Sequence, residues 1–166
     1  MTVLVNNAGA SPASTSLLDL PEADLRANME TNFFGPLLLA RAFAPTLSKA
    51  DGAALIDIHS ALSWLAVAGV YSVSKAALWS ATNALRLELQ PRGVHVVGVH
   101  VGWVDTPMAA QASGPKLPPE DLVRQALDAV EADEFEVLAD DTSRQVKGGL
   151  AAPIEALYPQ LNVTVE

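Results

Sequence analysis

The chain lacks several residue types that particular classes of protein need. It contains no cysteine among its 166 residues, which excludes a disulfide framework and a thiolate metal site. Only 10 lysine and arginine residues stand against 19 aspartate and glutamate residues, so the formal net charge is -9. Nucleic-acid phosphates and anionic membrane surfaces attract clustered positive charge, and this balance therefore argues against both as partners.

Long apolar runs are also absent. No stretch approaches the roughly 18 apolar residues of a membrane span. No basic segment followed by an apolar run of signal-peptide length begins the sequence. Hydrophobic residues make up 50% of the chain and charged residues 17%, which is typical of a soluble globular domain. We therefore expect one soluble, cytoplasmic domain covering 1–166.

The residues that are present alternate between strand and helix patterns. Apolar runs of strand length occupy 3–7, 53–60, 94–101 and 135–139. Helical patterns occupy about 22–47, 72–89 and 120–132, and a weakly helical tail follows. Because the strand runs are continuously apolar, both faces of the sheet should be covered by helices. This arrangement predicts an α/β fold with a parallel sheet.

Small or polar residues follow three of the predicted strands, at 6–9, 59–63 and 102–106. Ligands of parallel α/β sheets bind beyond the carboxyl ends of the strands, which is where these three segments would meet. The coincidence favours an enzyme over a purely structural domain.

Tyr71 and Lys75 are the first candidates for catalysis. Their i,i+4 spacing at the start of a predicted helix places both side chains on one face. A phenol with an ordinary pKa near 10 is a poor base at neutral pH, and a neighbouring ammonium lowers that pKa. Taken alone, the motif is more often an aromatic residue and a solvated lysine on an amphipathic helix.

Two further residues strengthen the candidate site. Ser60 ends a predicted strand, where its hydroxyl could donate a hydrogen bond to a substrate oxygen, although serine is also common in ordinary strand-end turns. Ser63 is a second, lower-ranked candidate. Asn32 lies in a predicted helix in which Pro36 has no N–H, so the carbonyl of Asn32 loses its intrahelical donor. That carbonyl either marks a simple kink or holds a water that serves Lys75.

Together these residues resemble a known family. The NNAG turn at 6–9, Asn32, Ser60, the Tyr71-Ser-Val-Ser-Lys75 motif and the VGWVDT segment at 101–106 look like the short-chain dehydrogenases/reductases. The resemblance covers about residues 2–139. It implies a Rossmann-type layered fold, and hydride transfer between NAD or NADP and a small alcohol or carbonyl substrate.

The resemblance also implies a role for each matching residue. Tyr71 would be the general acid/base, and Lys75 would lower the pKa of Tyr71 and bind the nicotinamide ribose. Ser60 would orient the substrate oxygen, and Asn32 would anchor a water of a proton relay. The remaining cofactor-binding positions would be Asn6, Ala8 and Gly9 on the adenosine side, and Val104 and Thr106 at the nicotinamide carboxamide.

Further expectations concern the surroundings of this site. Thr106 and Pro107 would begin a helix as its N-cap and first residue. The segment 108–118 would form a mobile lid over the substrate. Trp64 and Trp103 follow strand ends and are candidates either for an apolar pocket wall or for plain packing. By the family resemblance, helices 22–49 and 72–91 would form the interface of a homo-oligomer.

The three histidines do not predict a metal site. His95 and His100 lie on one predicted strand, five residues apart and so on opposite faces. His59 follows another strand, and no carboxylate completes a ligand set at a readable spacing. We therefore expect structural histidines and no metal.

Three features depart from the family's pattern. Val101 occupies a position where the family usually has proline, and Ser60 lies only eleven residues before Tyr71. No G-x-G-x-x-G loop follows a strand and opens a helix. In the family's strand order 3-2-1-4-5-6-7, the sequence matches only 4-5-6-7, the C-terminal part. We therefore expect an N-terminally truncated domain, in which Met1 is an internal start or a cut.

The missing part leaves two functions open. Strand 3–7 would have one open edge, which is a template for pairing with another chain. A dinucleotide would also lose the helix N-terminus that normally binds its phosphates. The chain is therefore either an oxidoreductase with a Tyr-Lys-Ser-Asn site, or a truncated, catalytically inactive fragment that acts only as a pairing and interaction module.

Overall fold

The computed structural model describes residues 2–12 and 14–162, so the expectation about Met1 lies outside the described residues. Four strands form one parallel sheet in the order β1-β2-β3-β4. They are β1 Val3–Asn6, β2 Ala53–Ile58, β3 Val94–His100 and β4 Glu136–Leu138. The predicted parallel α/β sheet is therefore confirmed, and each strand is one or two residues shorter than expected.

The register of the strands aligns their carboxyl ends. Asn6 of β1 pairs with Asp57 of β2, and Asp57 pairs with Gly98 of β3. The loops that follow β1 and β2 consequently leave the sheet at the same edge. This alignment brings the NNAG turn and the segment after Ile58 together, as the sequence pattern predicts.

The helices largely follow the predicted segments. They are α1 Glu22–Met29, α2 Gly35–Leu47, α3 Val70–Leu89, α4 Pro119–Glu131, α5 Asp141–Gly149 and α6 Ile154–Leu157. Across the part of the chain that the structure describes, every helix is too short or too polar to span a bilayer.

The single helix expected over 22–47 is interrupted. A π-helical turn at Glu30–Phe34 separates α1 from α2, and the Gly35 N–H donates to the carbonyl of Glu30. Pro36 cannot donate a hydrogen bond, so the helical ladder must change at this point. A π-turn inserts one extra residue, and such turns are frequent at functional sites. Asn32 lies inside it.

Two apolar clusters fill the layers on either side of the sheet. One joins the sheet to α2 and α3; the other joins it to α4. The first contains Ala40, Leu47, Ala53, Leu55, Leu89, Val94 and Val96. The second contains Ile56, Val97, Val99, Val101, Leu122, Ala126, Ala129, Val137 and Ala139. Both faces of β2 and β3 are thus covered, which explains why their sequences are continuously apolar.

Strand β1 forms one edge of the sheet. Its only strand neighbour among the described residues is β2. Val3 is 38% exposed and Val5 is 51% exposed, although both lie in an apolar strand. An edge of this kind presents unpaired backbone groups beside apolar side chains.

Gly69 sets the position at which α3 begins. Its backbone has φ 55° and ψ -131°, a conformation that residues with a Cβ atom rarely adopt. A Cβ added at this position would lie 2.1 Å from the carbonyl oxygen of Thr15. Glycine therefore allows the segment containing Thr15 to pack against the start of the helix that carries Tyr71.

Gly69→Ala should destabilise the chain more than the matched change Gly93→Ala. Gly93 also has a positive φ, of 76°, but its added Cβ would meet nothing within 4 Å. Backbone strain alone should cost Gly93→Ala about 1–2 kcal/mol. The contact with Thr15 and the unusual ψ should make Gly69→Ala cost roughly 3 kcal/mol or more. Urea unfolding measures the free energy of unfolding of both variants. Equal losses would mean that the contact with Thr15 does not constrain position 69.

Candidate active site

Tyr71 and Lys75 lie on the first two turns of α3, as predicted. Lys75 is buried, and its Nζ donates a hydrogen bond of 2.7 Å to the carbonyl of Ile58, the last residue of β2. The same Nζ lies 5.9 Å from the centre of the Tyr71 ring. A Cβ on Gly9 would lie 3.7 Å from Nζ. The lysine tip therefore sits between the end of β2 and the loop after β1.

Ser60 lies beside Tyr71 despite the short spacing between them. It caps a 3₁₀ turn at Ala61–Ser63: its Oγ accepts from the Leu62 N–H at 3.1 Å, and the Ser63 Oγ accepts from the Ser60 N–H at 3.3 Å. The eleven-residue spacing thus still brings the Ser60 hydroxyl to the phenol, where it affects the pKa of Tyr71. Ser63 supports this turn from within the buried core.

Asn32 holds the loop that follows β1. Its side chain is fully buried. The Nδ2 group donates to the carbonyl of Ala10 at 2.8 Å and faces the Ser74 Oγ at 3.0 Å, while Oδ1 accepts from the Ala10 N–H at 2.8 Å. The amide therefore links the π-turn, the loop and α3. A water held by the main-chain carbonyl of Asn32 stays a prediction.

Asn28 is a member of this network that we did not predict. Its Nδ2 donates to the carbonyl of Ala10 at 2.9 Å, and its Oδ1 accepts from the Asn32 Nδ2 at 3.1 Å. The i,i+4 spacing of Asn28 and Asn32 in the helical pattern is the signal that could have identified it.

Asn6 points into the protein rather than towards the cleft. Its Nδ2 donates to the Asp57 Oδ1 at 2.8 Å, and the Thr82 Oγ1 donates to the Asp57 Oδ2 at 2.6 Å. Burial raises the pKa of Asp57, and the hydrogen bonds from Thr82 and Asn6 oppose that shift. Only the backbone of Asn6 is thus placed to approach a cofactor. We did not predict a role for Asp57; the signal that could have identified it is a charged residue within an otherwise apolar strand.

The segment after β3 differs from one expectation. Leu117 pairs with the backbone just after β3: its N–H donates to the carbonyl of Trp103, and its carbonyl accepts from the N–H of Asp105. Thr106 lies at the N-cap position and Pro107 is the first residue of the element that follows, as expected, but that element is a single 3₁₀ turn, Pro107–Ala109. The Thr106 hydroxyl makes no capping hydrogen bond and donates instead to the carbonyl of Val104 at 3.3 Å.

The two tryptophans that were candidates for a pocket wall have different surroundings. Trp103 is 44% exposed and lies beside Gly114 in the loop after β3. Trp64 instead stacks on His100, with ring centres 3.9 Å apart, and packs edge-to-face on Trp79. Trp103 is therefore the better candidate for a substrate-contacting wall, whereas Trp64 packs inside.

The pKa shifts of Lys75 and Tyr71 favour the neutral form of each side chain. Burial lowers the pKa of Lys75 to about 8, and the Asp57 carboxylate partly offsets this shift. Burial raises the pKa of Tyr71, and the Ser60 side chain opposes the rise. Burial and the Ser60 side chain are the influences found on the pKa of Tyr71, so the expectation that Lys75 lowers this pKa stays a prediction.

The residues present fit one end of a nicotinamide dinucleotide. Lys75 Nζ has three N–H groups and one hydrogen-bond acceptor among the described residues, the carbonyl of Ile58. The surface beside it is formed by Gly9, which brings no side chain. Hydroxyl oxygens such as those of a ribose match these donors. The sequence offers no G-x-G-x-x-G loop for the phosphates.

Comparison with known proteins gives one family. The family model described as short chain dehydrogenase matches residues 1–116. The NADPH-dependent 1-acyldihydroxyacetone phosphate reductase of Schizosaccharomyces pombe is 37% identical over 113 residues, which cover 67% of this chain and 38% of that protein. C-signal of Myxococcus xanthus is 35% identical over 134 residues, covering 78% of this chain and 80% of that protein.

Solved structures agree with this result. A short chain dehydrogenase from Burkholderia cenocepacia J2315, in complex with NADP, superposes with a TM-score of 0.86 and 34% identity, over 99% of this chain and 70% of that one. A Sphingobium yanoikuyae enzyme in complex with NADPH shares the fold, with a TM-score of 0.76 and 20% identity, over 100% of this chain and 66% of that one. The chain thus spans much less than the full length of several relatives.

The buried ammonium of Lys75 should make stability depend on alkaline pH. Because its pKa is lowered to about 8, the folded chain releases this proton before the unfolded chain does. Between pH 8 and about pH 9.5 the unfolded state binds more protons, so the free energy of unfolding should rise with pH.

Lys75→Met should remove most of this rise, whereas Lys49→Met, at an exposed lysine, should retain it. Denaturant unfolding at several pH values measures the slopes. Parallel slopes for the wild type and Lys75→Met would contradict the lowered pKa.

Proposed function

Because this chain belongs to the short chain dehydrogenase family, we propose that it carries the nicotinamide-binding and catalytic half of an oxidoreductase acting on a small alcohol or carbonyl substrate. One observation carries the proposal. Ser60, Tyr71 and Lys75 converge at the carboxyl ends of β1 and β2, with the Lys75 Nζ fixed by the carbonyl of Ile58. This is the edge at which parallel α/β sheets bind ligands.

Each residue has a distinct task in carbonyl reduction. The Ser60 hydroxyl donates a hydrogen bond to the substrate oxygen, and the Tyr71 phenol donates a proton to the same oxygen as it gains negative charge. Since burial raises the pKa of Tyr71, the phenol is protonated at neutral pH and ready to act as the acid. Alcohol oxidation reverses these proton transfers.

The cofactor proposed for this site is NAD or NADP. In its reduced form it supplies a hydride to the substrate carbon when bound. Lys75 binds the ribose hydroxyls, and the backbone around Ala8 and Gly9 leaves room for close approach. Val104 and Thr106 begin the loop beside the nicotinamide. Among the similar proteins, the Schizosaccharomyces pombe reductase is NADPH-dependent and the Burkholderia cenocepacia dehydrogenase is in complex with NADP.

The helices α1, α2 and α3 supply the proposed homo-oligomer interface. Their segments correspond to 22–49 and 72–91, and they expose apolar side chains that a single chain leaves in contact with water. The exposed residues are Phe34, Leu38, Leu39, Phe43, Val73 and Leu87. Large apolar side chains exposed on these helices support an interaction surface, since a protein that works alone usually buries such groups.

A second function is favoured by a different observation. The edge strand β1 exposes Val3 and Val5, so the chain can pair with another polypeptide at this edge. In that case the chain would act as an inactive interaction module, without turnover of its own.

Replacing the phenol tests the enzymatic proposal. Tyr71→Phe should lower the rate of NADH- or NADPH-dependent reduction of small ketones and aldehydes by about 100-fold or more, because the proton donor is lost. Tyr158→Phe is the matched control. Tyr158 lies in the C-terminal tail, where its hydroxyl accepts from the Ala66 N–H at 3.0 Å. Loss of this hydroxyl should change the rate only slightly.

Absorbance at 340 nm measures cofactor oxidation in these assays. Undiminished turnover in Tyr71→Phe would rule out the assigned acid. Absence of turnover in the unaltered chain would favour the interaction module instead.

A further inference from the structure

Three aromatic rings form a buried stack next to Ser60. His100, at the end of β3, stacks on Trp64 with ring centres 3.9 Å apart and on His59 with ring centres 4.7 Å apart. His59 and His100 are almost completely buried. This cluster of three residues, which we call the ring stack, lies outside the Tyr71 and Lys75 pair.

The ring stack contacts the chain on both sides of Ser60. His59 immediately precedes Ser60, and Trp64 follows the 3₁₀ turn that Ser60 caps. His100 also approaches Ser60 itself, because its Nδ1 lies 3.3 Å from the carbonyl oxygen of Ser60. One residue of β3 therefore contacts both flanks of the turn and the main chain of the proposed catalytic serine.

The contact with Ser60 defines the tautomer of His100. A carbonyl oxygen accepts hydrogen bonds and cannot donate, so the His100 Nδ1 must carry the proton. Burial lowers the pKa of His100 to about 4, and the neutral ring then has an unprotonated Nε2. The charged and titratable groups around the ring come from α3, β4, α5 and the segment after β2. They are His59, Lys75, Arg86, Glu136 and Lys147.

The surroundings of Nε2 agree with a neutral ring. Glu136 Oε1 lies 3.6 Å from Nε2, beyond hydrogen-bond length, and Glu136 forms an ion pair with Lys147. The His100 Nε2 has no hydrogen-bond partner among the described residues. Nδ1 is thus the only ring nitrogen of His100 that these residues engage, and Ser60 is its partner.

We propose that His100 is a positioning residue for Ser60, whose carbonyl it holds by an Nδ1–H hydrogen bond while the ring stack fixes the adjoining turn. With the Ser60 N–H bonded to Ser63 and its carbonyl bonded to His100, the backbone that carries the hydroxyl is held at both ends. This inference rests on the proposed function, in which Ser60 contacts the substrate oxygen.

The tautomer is tested first, in the unaltered chain. Nitrogen-15 NMR of the histidine rings at neutral pH distinguishes a protonated Nδ1 from a protonated Nε2. We expect His100 to be neutral with its proton on Nδ1. A proton on Nε2 would overturn the proposal, whether or not the chain shows enzymatic activity.

Two substitutions then separate the hydrogen bond from the stacking. His100→Phe keeps a ring but loses the donor, whereas His100→Asn loses the ring but places an amide N–H near the position of Nδ1. The Leu62 N–H, which donates to the Ser60 Oγ, reports the order of the turn.

Hydrogen exchange of the Leu62 amide, relative to that of the core residue Val97, should accelerate up to about tenfold in His100→Phe and less in His100→Asn. Faster exchange in His100→Asn than in His100→Phe would mean that the ring only fills space.

Turnover provides an independent readout of the same bond. His100→Phe should lower kcat for carbonyl reduction up to about tenfold, with the KM for NADPH unchanged. In a Ser60→Ala background it should have no additional effect, because the positioned hydroxyl is already absent. Full additivity of the two changes would overturn the proposal. An inactive unaltered chain would count against the proposed function alone, since the exchange and NMR results still decide the role of His100.

Discussion

The candidate site depends on one buried carboxylate, that of Asp57. It accepts hydrogen bonds from Asn6 of β1 and Thr82 of α3, and so joins the two elements that flank β2. Its negative charge also raises the pKa of Lys75, which burial lowers. Removing one partner of such a buried network leaves the others without compensation, which is strongly destabilising. The hydrogen bonds of Asp57 thus tie the strand that precedes the NNAG turn to α3, the helix that carries Lys75.

Around that carboxylate, hydrogen bonds within the chain order the residues of the proposed binding site. Asn28 and Asn32 fix the loop after β1, and the turn capped by Ser60 fixes the end of β2. The groups that would meet a ribose and a substrate oxygen are therefore held by hydrogen bonds within the chain. The sequence has no glycine-rich loop that would place a helix N-terminus against the phosphates of a dinucleotide, and the edge of β1 is exposed. The residues described above would therefore contact the nicotinamide end of a dinucleotide and not its phosphates.

The parallel sheet and the Tyr71–Lys75 face could be predicted because they depend on local periodicity and on apolar strand runs. The π-turn around Asn32 was only partly predictable: Pro36 indicates a break in the ladder but not how the helix accommodates it. The change in the pKa of Tyr71 could not be predicted, because its burial depends on packing between distant segments. The stacking of Trp64 and His100 likewise requires knowing that β2 and β3 end side by side.

We propose that this chain binds the nicotinamide end of the cofactor through residues that hydrogen bonds within the chain already hold in place. An NMR titration of the isotopically labelled chain with reduced nicotinamide mononucleotide, and separately with AMP, tests this binding. We expect the mononucleotide to shift the amide resonances of Gly9, Ser60 and Tyr71, and AMP at the same concentration to leave them unchanged. Equal shifts with both ligands, or none with either, would show that the chain does not recognise the nicotinamide end by itself.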